Sequence, residues 1–98
     1  MTDTDIAYAI ALALAEDSLK VQVTQAPPYL YVVLDRTGDH PDYDRVTAIT
    51  RTVIKGLKPP DIQAVAIYSR PLGATDPDWE TYFYTITPAP PPRTATRP

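Results

Sequence analysis

A chain of 98 residues with no cysteine and a net charge of −3 has room for one domain, and it holds neither a disulfide framework nor a metal site built on thiolates. Two of its nine basic residues, Arg93 and Arg97, lie in the C-terminal tail, so the rest of the chain sets seven bases against twelve acids. An acidic body with scattered bases lacks the clustered Lys and Arg that duplex nucleic acid or an anionic membrane surface requires, and a cysteine-free small domain fits a reducing cytoplasm.

Residues 3–19 are expected to form a first helix. Asp3, Thr4 and Asp5 are cap candidates, and carboxylates suit the positive end of a helix dipole. The apolar run from Ile6 to Ala15 is far short of the roughly 20 residues needed to cross a bilayer. Acidic rather than basic residues precede it, unlike a signal peptide. At helical spacing Ile6, Ala9, Ile10, Ala13 and Leu14 share one face, and Tyr8, Leu12 and Leu19 form a second apolar stripe nearly opposite. A helix apolar on two sides has two neighbours, which makes Tyr8, Leu12 and Leu19 candidate interface residues.

Lys20 to Gln25 alternates as a half-buried strand does, Pro27-Pro28 makes a turn, and Tyr29 to Asp35 is a second strand. Leu30, Val32 and Leu34 face one way there, and Tyr29, Tyr31 and Val33 the other. A second helix is expected from Asp42 to Leu57, with Pro41 and acidic residues at its start and Lys58-Pro59-Pro60 as its stop. Val46, Ile49, Val53, Ile54 and Leu57 lie on its apolar face, and Arg51 and Lys55 on the outer one. Ile62 to Ser69 and Trp79 to Thr87 are the third and fourth strands, joined by a turn-rich segment. The order αββαββ predicts an α+β domain over residues 1–87, with a four-stranded, mostly antiparallel sheet and both helices on one face. Residues 88–98 are expected to be a disordered, polyproline-like tail. Within it, Pro88-Ala-Pro-Pro91-Pro-Arg93 fits the PxxPxR pattern of proline-rich ligands.

The densest polar segment runs from Asp35 to Asp44, with four carboxylates and the only histidine, His40. Its spacing does not match an EF-hand loop, and Asp39 and Asp42 are better placed as helix caps, so no metal site is expected. Ser18 and Ser69 sit in no nucleophile elbow, and no glycine-rich phosphate loop exists. The reading is of a chain with no catalytic residues and no cofactor.

The aromatic residues carry more. If the second strand turns Leu30, Val32 and Leu34 to the helices, and the fourth turns Trp79 and Phe83 inward, then Tyr29, Tyr31, Tyr82 and Tyr84 stand on the open face with Tyr68. Such a face is either ordinary cross-strand pairing or a binding surface, since tyrosine is favoured at interfaces.

The stretch from Leu19 to Phe83 resembles a small module of cyanobacterial proteins. The likeness rests on Ile67-Tyr-Ser-Arg-Pro-Leu-Gly73 followed by Pro77-Asp-Trp-Glu-Thr-Tyr-Phe83, similar to that module's "VYGR…G…PDW…F" ending. Leu30 to Asp35 and Val46 to Leu57 match its preceding strand and helix. Ser69 departs from the glycine of the pattern. The resemblance implies no activity. It draws attention to Arg70 and Trp79, which would frame the loop between the last strands, Arg70 stacking on Trp79 or pairing with Asp78 or Glu80. The expected function is protein interaction or assembly through the aromatic sheet face, with a protein partner or a second copy. The alternative is a nucleotide or single-stranded nucleic acid on the same face.

Overall fold

The computed structural model describes residues 2–85; the tail, and Ile86 and Thr87 of the expected fourth strand, lie outside the described residues. Its elements are α1 (Asp3–Leu14), β1 (Leu19–Ala26), β2 (Tyr29–Arg36), α2 (Tyr43–Leu57), β3 (Ala64–Pro71) and β4 (Trp79–Tyr84). The expected order αββαββ is present, and one sheet of order β1-β2-β3-β4 contains all four strands. β1 and β2 pair antiparallel, as do β3 and β4, whereas β2 and β3 are parallel and joined through α2. A parallel join needs a crossover, and α2 is that crossover.

Helix α1 is nucleated by a capping box. Thr2 Oγ1 accepts from the Asp5 amide at 3.1 Å, and the Thr2 amide donates to the Asp5 carboxylate at 3.2 Å. The helix ends at Leu14, five residues before the expected Leu19. Ala15 adopts the left-handed conformation at φ 53° and closes the end by donating to the Ala11 carbonyl. The last turn of α1 has no basic residue of its own, and the acidic pair Glu16-Asp17 follows, which disfavours continuation at the negative end of the dipole. Arg45 of α2 supplies the missing cation, donating to the Leu14 carbonyl at 3.1 Å and to Glu16 at 3.2 Å. Released from the helix, Leu19 opens β1 opposite Arg36 and is buried in the core.

Ile6, Ile10 and Leu14, four residues apart along α1, are all buried against the sheet and α2. Each contributes about 1.5–3 kcal/mol through apolar area removed from water. Of the face expected for α1, Ala13 lies outside this stripe and is exposed. Helix α2 is capped by Asp42, whose carboxylate accepts from the Arg45 amide, and its buried line is Val46, Thr50 and Ile54. Ile49, Val53 and Leu57 flank that line and are half-buried. From the sheet the core takes Leu19, Val23, Leu30, Val32, Leu34, Val65, Ile67 and Phe83. The helices therefore cover one face of the sheet and, among the described residues, leave the other bare. No helix among the described residues is long and apolar enough to cross a membrane.

Candidate functional site

Strand alternation decides what the bare face displays. β2 turns Leu30, Val32 and Leu34 inward and Tyr29, Tyr31 and Val33 outward. β3 turns Val65, Ile67 and Ser69 inward and Ala64, Ala66, Tyr68 and Arg70 outward. β4 turns Trp79 and Phe83 inward, leaving Glu80, Tyr82 and Tyr84 outside. The register then sets these outward residues in rows across the sheet. Tyr29, Ala64 and Tyr84 form one row, and Tyr31, Ala66 and Tyr82 the next. In each row an alanine lies between two tyrosines.

The result is a straight trough of about 330 Å³ running along β3. Ala64 and Ala66 are its floor. Tyr29 and Tyr31 form one wall, Tyr82 and Tyr84 the other, and Tyr68 stands at one end. The Tyr29 and Tyr31 rings lie 6.3 Å apart, and Tyr31 stacks with Tyr68 at 6.4 Å and 21°. Tyr29, Tyr82 and Tyr84 are 51%, 71% and 66% exposed. Among the described residues none of the five hydroxyls makes a hydrogen bond within the domain. Burial, and next the neighbouring Glu80 carboxylate, push the Tyr68 phenol up from its ordinary value, so it stays a neutral hydroxyl donor.

Arg70 and Trp79 do not join this trough as a pair. The register places Trp79 opposite Ser69, so Arg70 falls beyond the end of β4 and on the other face. Arg70 donates to Asp35 at 2.5 Å, and Asp35 also accepts from Gln22 at 2.6 Å. Trp79 is on the helix side, stacked on Tyr43 with centroids 4.0 Å apart and planes within 6°. The loop is stitched by a different arginine: Arg36, buried at the end of β2, makes a bidentate ion pair with Asp78.

Around that pair is a cluster that sequence reasoning missed. Arg36 donates to Ser69 Oγ at 3.2 Å, the Tyr43 hydroxyl donates to the same Oγ at 2.9 Å, and His40 Nδ1 lies 2.7 Å from the Tyr43 oxygen. His40 Nε2 is 3.9 Å from Asp78. A line of His, Tyr and Ser invites a catalytic reading, but Ser69 is wholly buried under Tyr43 and Arg36, where no substrate carbonyl reaches it. The cluster satisfies a buried arginine and anchors the β3–β4 connection. Alternation in β2 was the available signal, since it points Arg36 inward. The Asp35–Asp44 carboxylates are dispersed, Asp35 on the bare face and Asp42 at a helix cap. Among the described residues no three or more His, Cys, Asp or Glu side chains gather as a metal site.

Of the expected second stripe on α1, Tyr8 and Leu12 are both 67% exposed, one turn apart. Leu19 is not on the helix and not on the surface; it is the first residue of β1 and part of the core.

Fold and trough together define an α+β domain with one tyrosine-lined sheet face that no other described residue covers. No protein-family model, curated protein or solved structure matches the chain, so the resemblance to the cyanobacterial module stands on its residues alone.

Proposed function

We propose that this domain is a non-catalytic protein-interaction module that takes an extended, proline-rich polypeptide segment into the tyrosine trough. The observation that carries the reading is the two-alanine floor between paired tyrosine walls on the uncovered face. The walls stand two strand spacings apart, about 9.6 Å, which is narrower than the 10–12 Å diameter of a helix with its side chains. One extended chain fits. A polyproline-type chain leaves its carbonyls without internal partners, and tyrosine hydroxyls along the rim are suitable donors. Proline rings packed against aromatic walls are a recurring mode of peptide capture.

Nucleic acid on the same platform is the second reading, favoured by the stacked Tyr31 and Tyr68 rings. The charges oppose it. The bare face carries Lys20 and Arg70 against Asp35 and Glu80, and Arg70 is already committed to Asp35. Arg51 stands over the Phe83 ring on the helix side and cannot track a backbone along the trough.

The test is a titration of the full chain with a synthetic proline decapeptide, to millimolar concentration, followed by the ring resonances of the tyrosines. Shifts confined to the trough tyrosines, and lost in Tyr31→Ala and Tyr82→Ala, are expected. A thymidine oligonucleotide at low salt should leave those resonances in place. Salt-sensitive, sub-micromolar oligonucleotide binding without a peptide response would overturn the reading in favour of nucleic acid.

A further inference from the structure

We infer that the occupant of the trough in the full chain is its own tail, with Pro88 to Pro92 folded back along β3 and Arg93 set against Glu80. This rests on the reading of the trough as a peptide site, and it names the peptide. Three features of the chain meet in it.

The first is position. β4 ends at Tyr84, itself a wall of the trough, and Tyr84 pairs with Ala64 at one end of the floor. Thr85, the last described residue, therefore stands next to the mouth of the trough. The second is length. The floor from Ala64 to Tyr68 spans four strand steps of about 3.3 Å, or roughly 13 Å. Pro88 to Pro92 spans four polyproline steps of about 3.1 Å, or roughly 12 Å. Thr85 is held in place, its amide donating to the Gln63 carbonyl at 3.0 Å and its hydroxyl to the Ile62 carbonyl at 2.7 Å, so residues 86 and 87 remain for the reversal; the three Cα steps from Thr85 to Pro88 reach about 10 Å, twice the 4.8 Å from β4 to β3. The third is charge. A tail running back from Tyr84 puts Arg93 at the far end, beside Tyr68. The residue paired with Tyr68 there is Glu80, the one acidic side chain bordering that end on β4.

The neighbouring hollow offers the tail no equal seat. It adjoins Thr85 and is lined by Ile54, Pro59 and Ile62, but Lys55 and Lys58 stand in it, and these repel Arg93 and Arg97. The sequence thus carries a proline-rich ligand and an aromatic reader on one chain, joined by a two-residue linker. A short linker gives an effective concentration on the order of millimolar, so a tail that binds in trans at about one tenth of that value masks the trough about tenfold.

The experiment uses full-length chains throughout. A synthetic peptide of residues 86–98 is titrated into the natural chain and into one carrying Pro88→Ala, Pro90→Ala and Pro91→Ala, with the Tyr31 and Tyr82 ring signals as readout. The variant should bind the peptide about tenfold more tightly, and Arg93→Glu alone about two- to fivefold, the range of an exposed ion pair. Equal affinity for natural chain and triple variant, with the peptide seated on the tyrosines, overturns the folded-back tail and leaves the peptide-binding reading standing. Binding to neither chain sinks both. Contacts between tail prolines and tyrosine rings that appear only between differently labelled chains assign the tail to a second copy and overturn the intramolecular form. Contacts to the Ile54 and Ile62 methyls overturn the choice of site.

Discussion

Tyr82 and Phe83 are adjacent on β4 and point to opposite faces, so truncating each to alanine weighs the two sides of the sheet against one another. Phe83 is 5% exposed, sits opposite Val65 and carries the Arg51 guanidinium 5.1 Å above its ring centroid. Losing a buried phenyl group costs the transfer of its apolar area plus the cavity it leaves, together about 3–5 kcal/mol. β4 is an edge strand and can partly collapse into the space, which favours the lower half of that range. The Arg51 contact, at an exposed cation, adds about 0.5–1 kcal/mol. A loss of about 3 kcal/mol is most of the lower end of the roughly 4–13 kcal/mol expected for a domain of this size. It corresponds to a fall in Tm of roughly 12–24 °C. Tyr82 is 71% exposed, and Tyr82→Ala should cost under about 1 kcal/mol. Urea unfolding of both variants, followed by far-ultraviolet circular dichroism, provides the comparison. If Phe83→Ala proves unfolded, Phe83→Leu gives the graded version at about 1.5 kcal/mol or less. A Tyr82→Ala loss equal to or above that of the Phe83 variant would refute the assignment of faces, and the trough with it.

Two further outcomes follow from single residues. Thr50 is wholly buried in the line between Val46 and Ile54, and its hydroxyl has no partner among the described residues; Thr50→Val should stabilise the domain by about 1 kcal/mol in the same urea assay, and a loss would show that the hydroxyl is bonded in solution. The Arg36 guanidinium holds the Asp78 carboxyl below its ordinary value of 3.8. A carboxyl whose folded pKa is depressed stabilises above its unfolded pKa and loses that contribution as pH falls through the folded one. Asp78→Asn should therefore be less stable than the natural chain at neutral pH and lose less on acidification from about pH 5 to pH 2; parallel pH profiles would rule the ion pair out as a source of acid sensitivity.

The elements whose periodicity was strong were legible in the sequence. Alternation along Tyr29–Arg36 and Trp79–Tyr84 was enough to put the tyrosines on one side and Phe83 on the other. The trough was not legible, because its floor depends on register. Ala64 and Ala66 acquire meaning only when β3 sets them between Tyr29, Tyr31, Tyr82 and Tyr84. The end of α1 was missed for a related reason. Leu19 continues the helical apolar stripe in sequence, but its place opposite Arg36 in the sheet outweighs helix propensity. Arg70 was given the wrong partners because one residue of register decides the face of a side chain, and Asp35 lies next to it only across the parallel join. Thr50 was passed over since polar residues are rarely expected on a buried helix line.

That parallel join has a bearing on how the site comes and goes. Tyr29 and Tyr31 belong to the first hairpin, while the alanine floor and Tyr82 and Tyr84 belong to the second. The two hairpins are local in sequence, but Tyr29 and its partner Ala64 are separated by the whole of α2. The seam between β2 and β3 is thus the one join in the described sheet made between segments far apart in sequence. A trough that straddles the seam exists only while the seam is shut. Any occupant is therefore also a clamp, adding its binding free energy to the closed state by mass action and slowing amide exchange along β2 and β3 first. Occupancy and the integrity of the sheet become one equilibrium, and a protease or a competing edge strand would meet the emptied domain as a looser object than the filled one.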